Sequence, residues 1–141
     1  IAIGGVGARG GYVGGRLARA GHDVTLVDFW PANIEAIRAN GLQLDGLSEE
    51  ERFTAQPTQA LHVSDVQALA FQDPIDIALV SVKSYDTEWA TTLIRQYLAP
   101  AGYVVSLQNC LNEERIDEAA FREDVWDMCC SISSDIILSI H

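Results

Sequence analysis

The chain alternates between short apolar runs and longer stretches in which apolar residues recur every three or four positions. Ile1-Ala2-Ile3, Val24-Thr25-Leu26-Val27, residues 75–83 and residues 103–107 are runs of the first kind. Such near-continuous runs are expected of parallel strands buried on both faces. After the first run, Val13, Leu17 and Ala20 fall at i, i+4 and i+7, with Arg16 and Arg19 on the outer side. This spacing predicts an amphipathic helix that ends at Gly21, a residue suited to a left-handed cap. Pro31 opens a second helix with Ile34 and Ile37 on one face, stopping at Gly41. A third is predicted over 87–98, with Trp89, Leu93 and Tyr97 on one side, before a turn at Pro100-Ala101-Gly102. Between the second helix and residue 75 the pattern is less regular. Leu42-Gln43-Leu44 and Phe53-Thr54-Ala55 suit two short strands around the acidic loop Glu49-Glu50-Glu51, and a short helix is predicted near 65–70. A helix over 113–121 and a strand over 125–132 complete the series. The alternation of strand and helix predicts an α/β fold with a doubly wound parallel sheet and right-handed crossovers.

The first strand runs directly into Gly5-Val6-Gly7-Ala8-Arg9-Gly10-Gly11, and the first helix begins there. This is a G-x-G-x-x-G turn in the strand–turn–helix setting that gives the motif its meaning. The first glycine permits a tight turn, the second lets backbone approach a pyrophosphate, and the third lets helix and strand pack closely. Free N–H groups at the helix start then face the phosphates. Asp28 ends the second strand, about where the motif calls for an acid to hydrogen-bond a ribose hydroxyl. Its alternative role is to cap the helix opening near Pro31. Together these features predict a Rossmann-type dinucleotide site for NAD(H) or NADP(H).

In open α/β sheets ligands lie beyond the carboxyl ends of the strands. That rule selects the glycine turn, Asp28, Lys83-Ser84-Tyr85-Asp86 after a strand ending at Val82, and Gln108-Asn109-Cys110 after Leu107. Lys83, the one lysine of the chain, offers an ammonium to a phosphate or ribose; otherwise it is a surface lysine ending a strand. Asn109 either orients a carboxamide or substrate carbonyl or forms an Asx-turn. Arg9 either reaches a phosphate or faces solvent. Phe29 and Trp30 either border an adenine or join the core, and Tyr12 is open between site and surface.

A length of 141 residues suits one domain with a substantial core. The net charge of −11 argues against nucleic acid and anionic membranes, which need a basic face. No apolar stretch has the roughly 20 residues needed to span a bilayer. Cys110, Cys129 and Cys130 lack metal-ligand spacing and suit reduced thiols in a cytoplasmic protein, and no metal site is expected. The chain opens within a strand and closes on the uncovered apolar run 135–140, so it is expected to be part of a longer protein. A domain that forms a homodimer through that edge is the alternative.

Gly5-Val6-Gly7-Ala8-Arg9-Gly10-Gly11-Tyr12, Ala20-Gly21-His22-Asp23-Val24, Val82-Lys83-Ser84 and Ser106-Leu107-Gln108-Asn109 together resemble the ketopantoate reductase (2-dehydropantoate 2-reductase) family. Residues 35–42 and 112–116 share the likeness, which covers roughly 1–125, the family's nucleotide-binding domain. The resemblance implies NADPH-dependent reduction of a small 2-keto acid, 2-dehydropantoate, to pantoate on the way to pantothenate and coenzyme A. It also implies that Lys83 and Asn109 contact the cofactor and substrate region. A proton-donating lysine and a substrate-binding glutamate belong to a helical C-terminal domain that this chain lacks, so the chain alone is expected to be inactive. Cys110 stands where the family has glycine, Arg9 stands where it has an apolar residue, and Asp28 favours NAD over the family's NADP. A non-catalytic dinucleotide-sensing module and a different 2-ketoacid or hydroxyacid dehydrogenase are the competing readings.

Overall fold

A computed structural model describes residues 1–46 and 48–108, together with the backbone of 125–127. Its strands are β1 (Ala2–Gly4), β2 (Thr25–Asp28), β3 (Leu42–Leu44), β4 (Phe53–Ala55), β5 (Gln59–His62), β6 (Ile75–Val80), β7 (Leu98–Ser106) and β8 (Val125–Asp127). The α-helices are α1 (Ala8–Arg19), α2 (Pro31–Asn40) and α3 (Thr87–Arg95). Six strands pair in parallel in the order β5-β2-β1-β6-β7-β8, and β3 and β4 form a separate antiparallel hairpin. With the hairpin set aside, this is the doubly wound order 3-2-1-4-5-6. The order reverses between β1 and β6, where a ligand crevice is expected. The α/β Rossmann architecture predicted from the sequence is the one observed.

Neighbouring residues of the central strands go to opposite faces, and both faces are buried. Ala2, Val27, Leu61, Ala78 and Val80 pack with Ala90 and Ile94 of α3 on one side. Ile3, Leu26, Ala60 and Leu79 pack with Ile34 and Ile37 of α2 on the other. That two-sided burial is why the strand runs carry so few polar residues. α2 begins at Pro31 and stops at Gly41, as predicted.

α1 turns a different face inward from the one its apolar residues suggest. Its buried residues are Gly10, Gly11, Gly14 and Gly15, while Val13 and Leu17 are partly buried at the margin and Ala20 is exposed. The helix lies so close to its neighbours that side chains do not fit between them. A Cβ on Gly14 would come within 2.9 Å of Ile3 and Leu26, and one on Gly15 would overlap Leu44 of the hairpin. Arg16 and Arg19, predicted to point outward, lie over the Phe53 ring of that hairpin, at 5.5 and 4.5 Å from its centroid. α1 closes as foreseen at Gly21. The φ there is +88°, and the Gly21 and His22 amides donate to the carbonyls of Ala18 and Leu17.

Other boundaries differ from the sequence reading. β5, an edge strand beside β2, was not foreseen within the irregular stretch before residue 75. Arg38 of α2 secures it, donating to the Ala60 carbonyl at 2.7 Å and to Asp65 at 3.1 Å. The same guanidinium holds the Asp65 carboxyl below its ordinary pKa. The helix predicted near 65–70 is a 3-10 helix, Val63–Phe71. β6 ends at Val80, short of Val82. α3 ends at Arg95, because Leu98 already pairs with Ile75 and the Tyr97 carbonyl accepts the Ile75 amide. Its buried residues are Thr87, Ala90, Thr91 and Ile94, leaving Trp89 40% exposed. The predicted turn at 100–102 is a bulge inside β7, where the register jumps from Ile75–Leu98 to Ile77–Tyr103. The helix predicted over 113–121 and the apolar run 135–140 lie outside the described residues.

A Cβ on Gly10 would overlap the Gly5 carbonyl, a backbone atom that can yield only by lifting α1 off the sheet. Gly10→Ala is therefore expected to destabilise the chain by about 2 kcal/mol or more, as overpacking does. A urea titration measures this as a lower midpoint at unchanged slope. An unchanged midpoint would show that the contact is dispensable.

Candidate dinucleotide site

The carboxyl ends of β1, β2, β6 and β7 converge on one crevice of about 850 Å³. β1 contributes Gly5 to Arg9, β2 contributes Asp28 to Trp30, β6 contributes Ser81 to Asp86, and β7 contributes Leu107 and Gln108. Backbone bonds join these tips: Gly5 N–H donates to Val27, Ser81 N–H to Gly4, and Leu107 N–H to Val80. Gly5 has φ +91°, and a Cβ on it would lie 2.8 Å from the Val82 nitrogen. Only glycine suits both the angle and the space.

Asp28 is 5% exposed, and both carboxylate oxygens are engaged by the main chain. Oδ2 accepts the Val6 amide at 2.7 Å and Oδ1 accepts the Trp30 amide at 2.9 Å. The side chain thus joins the glycine turn to the β2 tip. It does not cap α2, whose N-cap is Trp30 and which has no side-chain cap bond. Asn33, which the sequence reading passed over, holds the other side of the same peptide by donating to the Val6 carbonyl at 3.3 Å. Its signal was a polar residue one turn before Ile37 on the buried side of the helix. His62 secures the next residue. Its Nδ1 accepts the Ser64 amide, so Nε2 carries the proton and donates to the Phe29 carbonyl at 3.1 Å.

Arg9 is turned inward, and its guanidinium donates to the Leu107 carbonyl at 3.2 Å across the crevice. Lys83 is exposed at the rim, at the start of the single 3-10 turn Ser84–Asp86. These are the two cations among the described residues that line the crevice. The first turn of α1 faces the same space with no side-chain cap and no acidic residue. Phe29 and Trp30 are 37% and 63% exposed, so the core role considered for them is not what is found. With Trp89 they form an aromatic cluster at the β2 side, at centroid separations of 5.7 and 6.2 Å. Tyr12 sits on the outside of α1 and accepts a hydrogen bond from Arg16. Asn109 and Cys110 lie outside the described residues. Gln108 is buried and donates to the Val82 carbonyl and the Thr87 hydroxyl. Among the described residues no cluster of three or more His, Cys, Asp or Glu could hold a metal ion, and no helix is long and apolar enough to cross a membrane.

Comparison with known proteins agrees with this arrangement. A family model described as ketopantoate reductase PanE/ApbA matches residues 1–136. The 2-dehydropantoate 2-reductase of Pyrococcus horikoshii is 36% identical over 123 residues, which is 86% of this chain and 37% of that protein. A PanE/ApbA family ketopantoate reductase from Ralstonia eutropha JMP134 has a structure similar at TM-score 0.71 and 32% identity, covering 90% of this chain and 40% of that one. D-mandelate dehydrogenase, solved with NADH and anilino(oxo)acetate, shares the fold at TM-score 0.73 and 22% identity, again over 90% of this chain and 40% of that one. The chain spans little more than a third of the length of the curated relative from P. horikoshii. The resemblance seen in the glycine turn and the Val-Lys-Ser and Leu-Gln-Asn tips thus extends along nearly the whole sequence, and the chain belongs to the ketopantoate reductase family.

Proposed function

We propose that this chain is the dinucleotide-binding domain of an NAD(P)H-dependent oxidoreductase that reduces 2-dehydropantoate to pantoate. The observation that carries the reading is Gly7. Gly5 and Gly10 are glycines for reasons internal to the protein, one a positive φ and both a lack of room. Gly7 has φ −78°, which any residue adopts, and no atom would lie within 4 Å of a Cβ built on it. Its missing side chain leaves a place for a group from outside the chain, at the mouth of a helix with uncapped N–H donors. A pyrophosphate fits that place in shape, charge and hydrogen bonding.

The chain's own residues supply binding and orientation. The α1 amides and Arg9 face the phosphates, and Lys83 covers the crevice from the β6 side. Asn109, next in sequence after Gln108, orients the carboxamide or the substrate carbonyl. When bound, a reduced nicotinamide would be the source of hydride for the ketone carbon. The proton for the ketone oxygen comes from a helical C-terminal domain of the kind the family carries, in a cytoplasmic enzyme. NADH is the favoured cofactor. The β2 side of the crevice presents the Asp28 carboxylate, Phe29, Trp30 and Asn33, with no cation among them to receive a 2′-phosphate.

Gly7→Val is expected to leave the unfolding midpoint unchanged and to weaken dinucleotide binding by about a hundredfold, near 2.7 kcal/mol. Titration calorimetry beside thermal unfolding checks both; undiminished affinity would remove the glycine turn from the site. NADH is expected to bind at least about tenfold more tightly than NADPH, with Asp28→Asn narrowing the ratio as like-charge repulsion is removed. Parallel titrations at one salt concentration test this, and a preference for NADPH would overturn the cofactor assignment.

A further inference from the structure

We infer that Gln108 is a positioning residue whose buried carboxamide holds the loop bearing Lys83 in place over the crevice. The side chain is 4% exposed, and both hydrogens of its nitrogen are used. One goes to the Val82 carbonyl at 2.8 Å and the other to the Thr87 hydroxyl at 2.7 Å. Those two partners bracket the segment from Lys83 to Asp86. The loop continues the network inward: Thr87 Oγ1 donates to the Ser84 carbonyl at 2.9 Å, and the Asp86 amide donates to the Lys83 carbonyl at 2.8 Å. On the β7 side, the Gln108 amide donates to the hydroxyl of Ser106, which is fully buried.

The chemistry of this place is narrow. A carbonyl only accepts, so the nitrogen of the carboxamide must face Val82, which fixes the amide orientation. The Thr87 hydroxyl spends its one hydrogen on the Ser84 carbonyl, so toward Gln108 it can only accept. Glutamate would set a carboxylate against the Val82 carbonyl. Leucine would fill the volume and leave two buried groups without their donors. Asparagine is one methylene shorter. Gln108 therefore fixes a rim segment 26 positions away in sequence that no regular secondary-structure ladder holds. Lys83 is exposed and has no side-chain cap role in the turn it begins, so the direction of its ammonium follows from where this loop is pinned.

The inference rests on the proposed contact between Lys83 and the cofactor, and a double-mutant cycle separates the two. NADH affinity is measured by calorimetry for the unaltered chain, Lys83→Met, Gln108→Leu and the double variant, with thermal unfolding of each. Lys83→Met is expected to weaken binding by about tenfold alone and by less than about twofold on the Gln108→Leu background, the coupling of residues that act as one unit. An equal cost on both backgrounds would overturn the positioning role and leave Gln108 purely structural. If Lys83→Met costs nothing even in the unaltered chain, the cofactor contact fails, and hydrogen exchange then judges Gln108. Gln108→Leu is expected to raise exchange at the amides of residues 83–87 while β1 and β2 stay protected. Unchanged exchange there would overturn the inference. Should Gln108→Leu fail to fold, Thr87→Val and Thr87→Ser replace it. Lys83→Met is expected to cost less than about twofold on the valine background and about tenfold on the serine background; an equal cost on both would overturn the inference.

Discussion

The near contact of α1 with the first two strands is the constraint on which the rest of the molecule depends. A helix normally stands off a sheet by the length of its side chains; here the inward line is Gly10, Gly11, Gly14 and Gly15. Because α1 starts at the very tip of β1 and lies flat, its first amides open onto the crevice. The same closeness brings the β3–β4 hairpin against the helix's other flank, where Leu44 meets Gly15 and Phe53 lies beneath two guanidinium groups. Leu, Ile or Val on that line would give a better-looking amphipathic helix and a worse protein.

Asp28 shows how one group serves fold and site together. A buried carboxylate is costly to desolvate, and the cost is offset here by two main-chain donors at 2.7 and 2.9 Å. Those donors belong to the glycine turn and to the entry of α2, so the acid holds two crevice walls at a fixed separation. Its charge meanwhile sets the electrostatic character of the β2 side. Each oxygen keeps a further acceptor direction beyond its main-chain donor.

Much of this was legible in the sequence because it rests on local rules. The apolar runs at 24–27 and 75–82 marked buried parallel strands, and Pro31 and Gly41 marked the ends of α2. The glycine turn announced its own geometry, and the tip rule gathered Asp28, Lys83 and Gln108. What escaped notice depends on long-range packing. β5 carries only Ala60 and Leu61 as apolar signal, and it is a strand because β2 offers an edge and Arg38 holds its far side. The inward face of α1 was misjudged because periodicity weighs large apolar residues, whereas a helix pressed against backbone buries its smallest. The extent of α3 was overestimated because the pairing of Leu98 with Ile75 outcompetes another helical turn. Asn33 escaped because its partner, Val6, lies 27 positions away; Gln108 was gathered with the strand tips, but its bond to Val82, 26 positions away, was not legible.

The pairing of β1 with β6 carries a consequence for how the chain acquires its site. Residues 2–4 meet residues 78–80, and the wall behind the glycine turn is made by Ser81 and Val82. The β1–α1–β2 unit is local and can collapse early, but the crevice has only one side until β6 docks. That docking closes a long loop, a step whose entropy is lost before the contact returns anything. A crevice whose two sides come from strands so far apart in sequence is a property of the finished sheet alone.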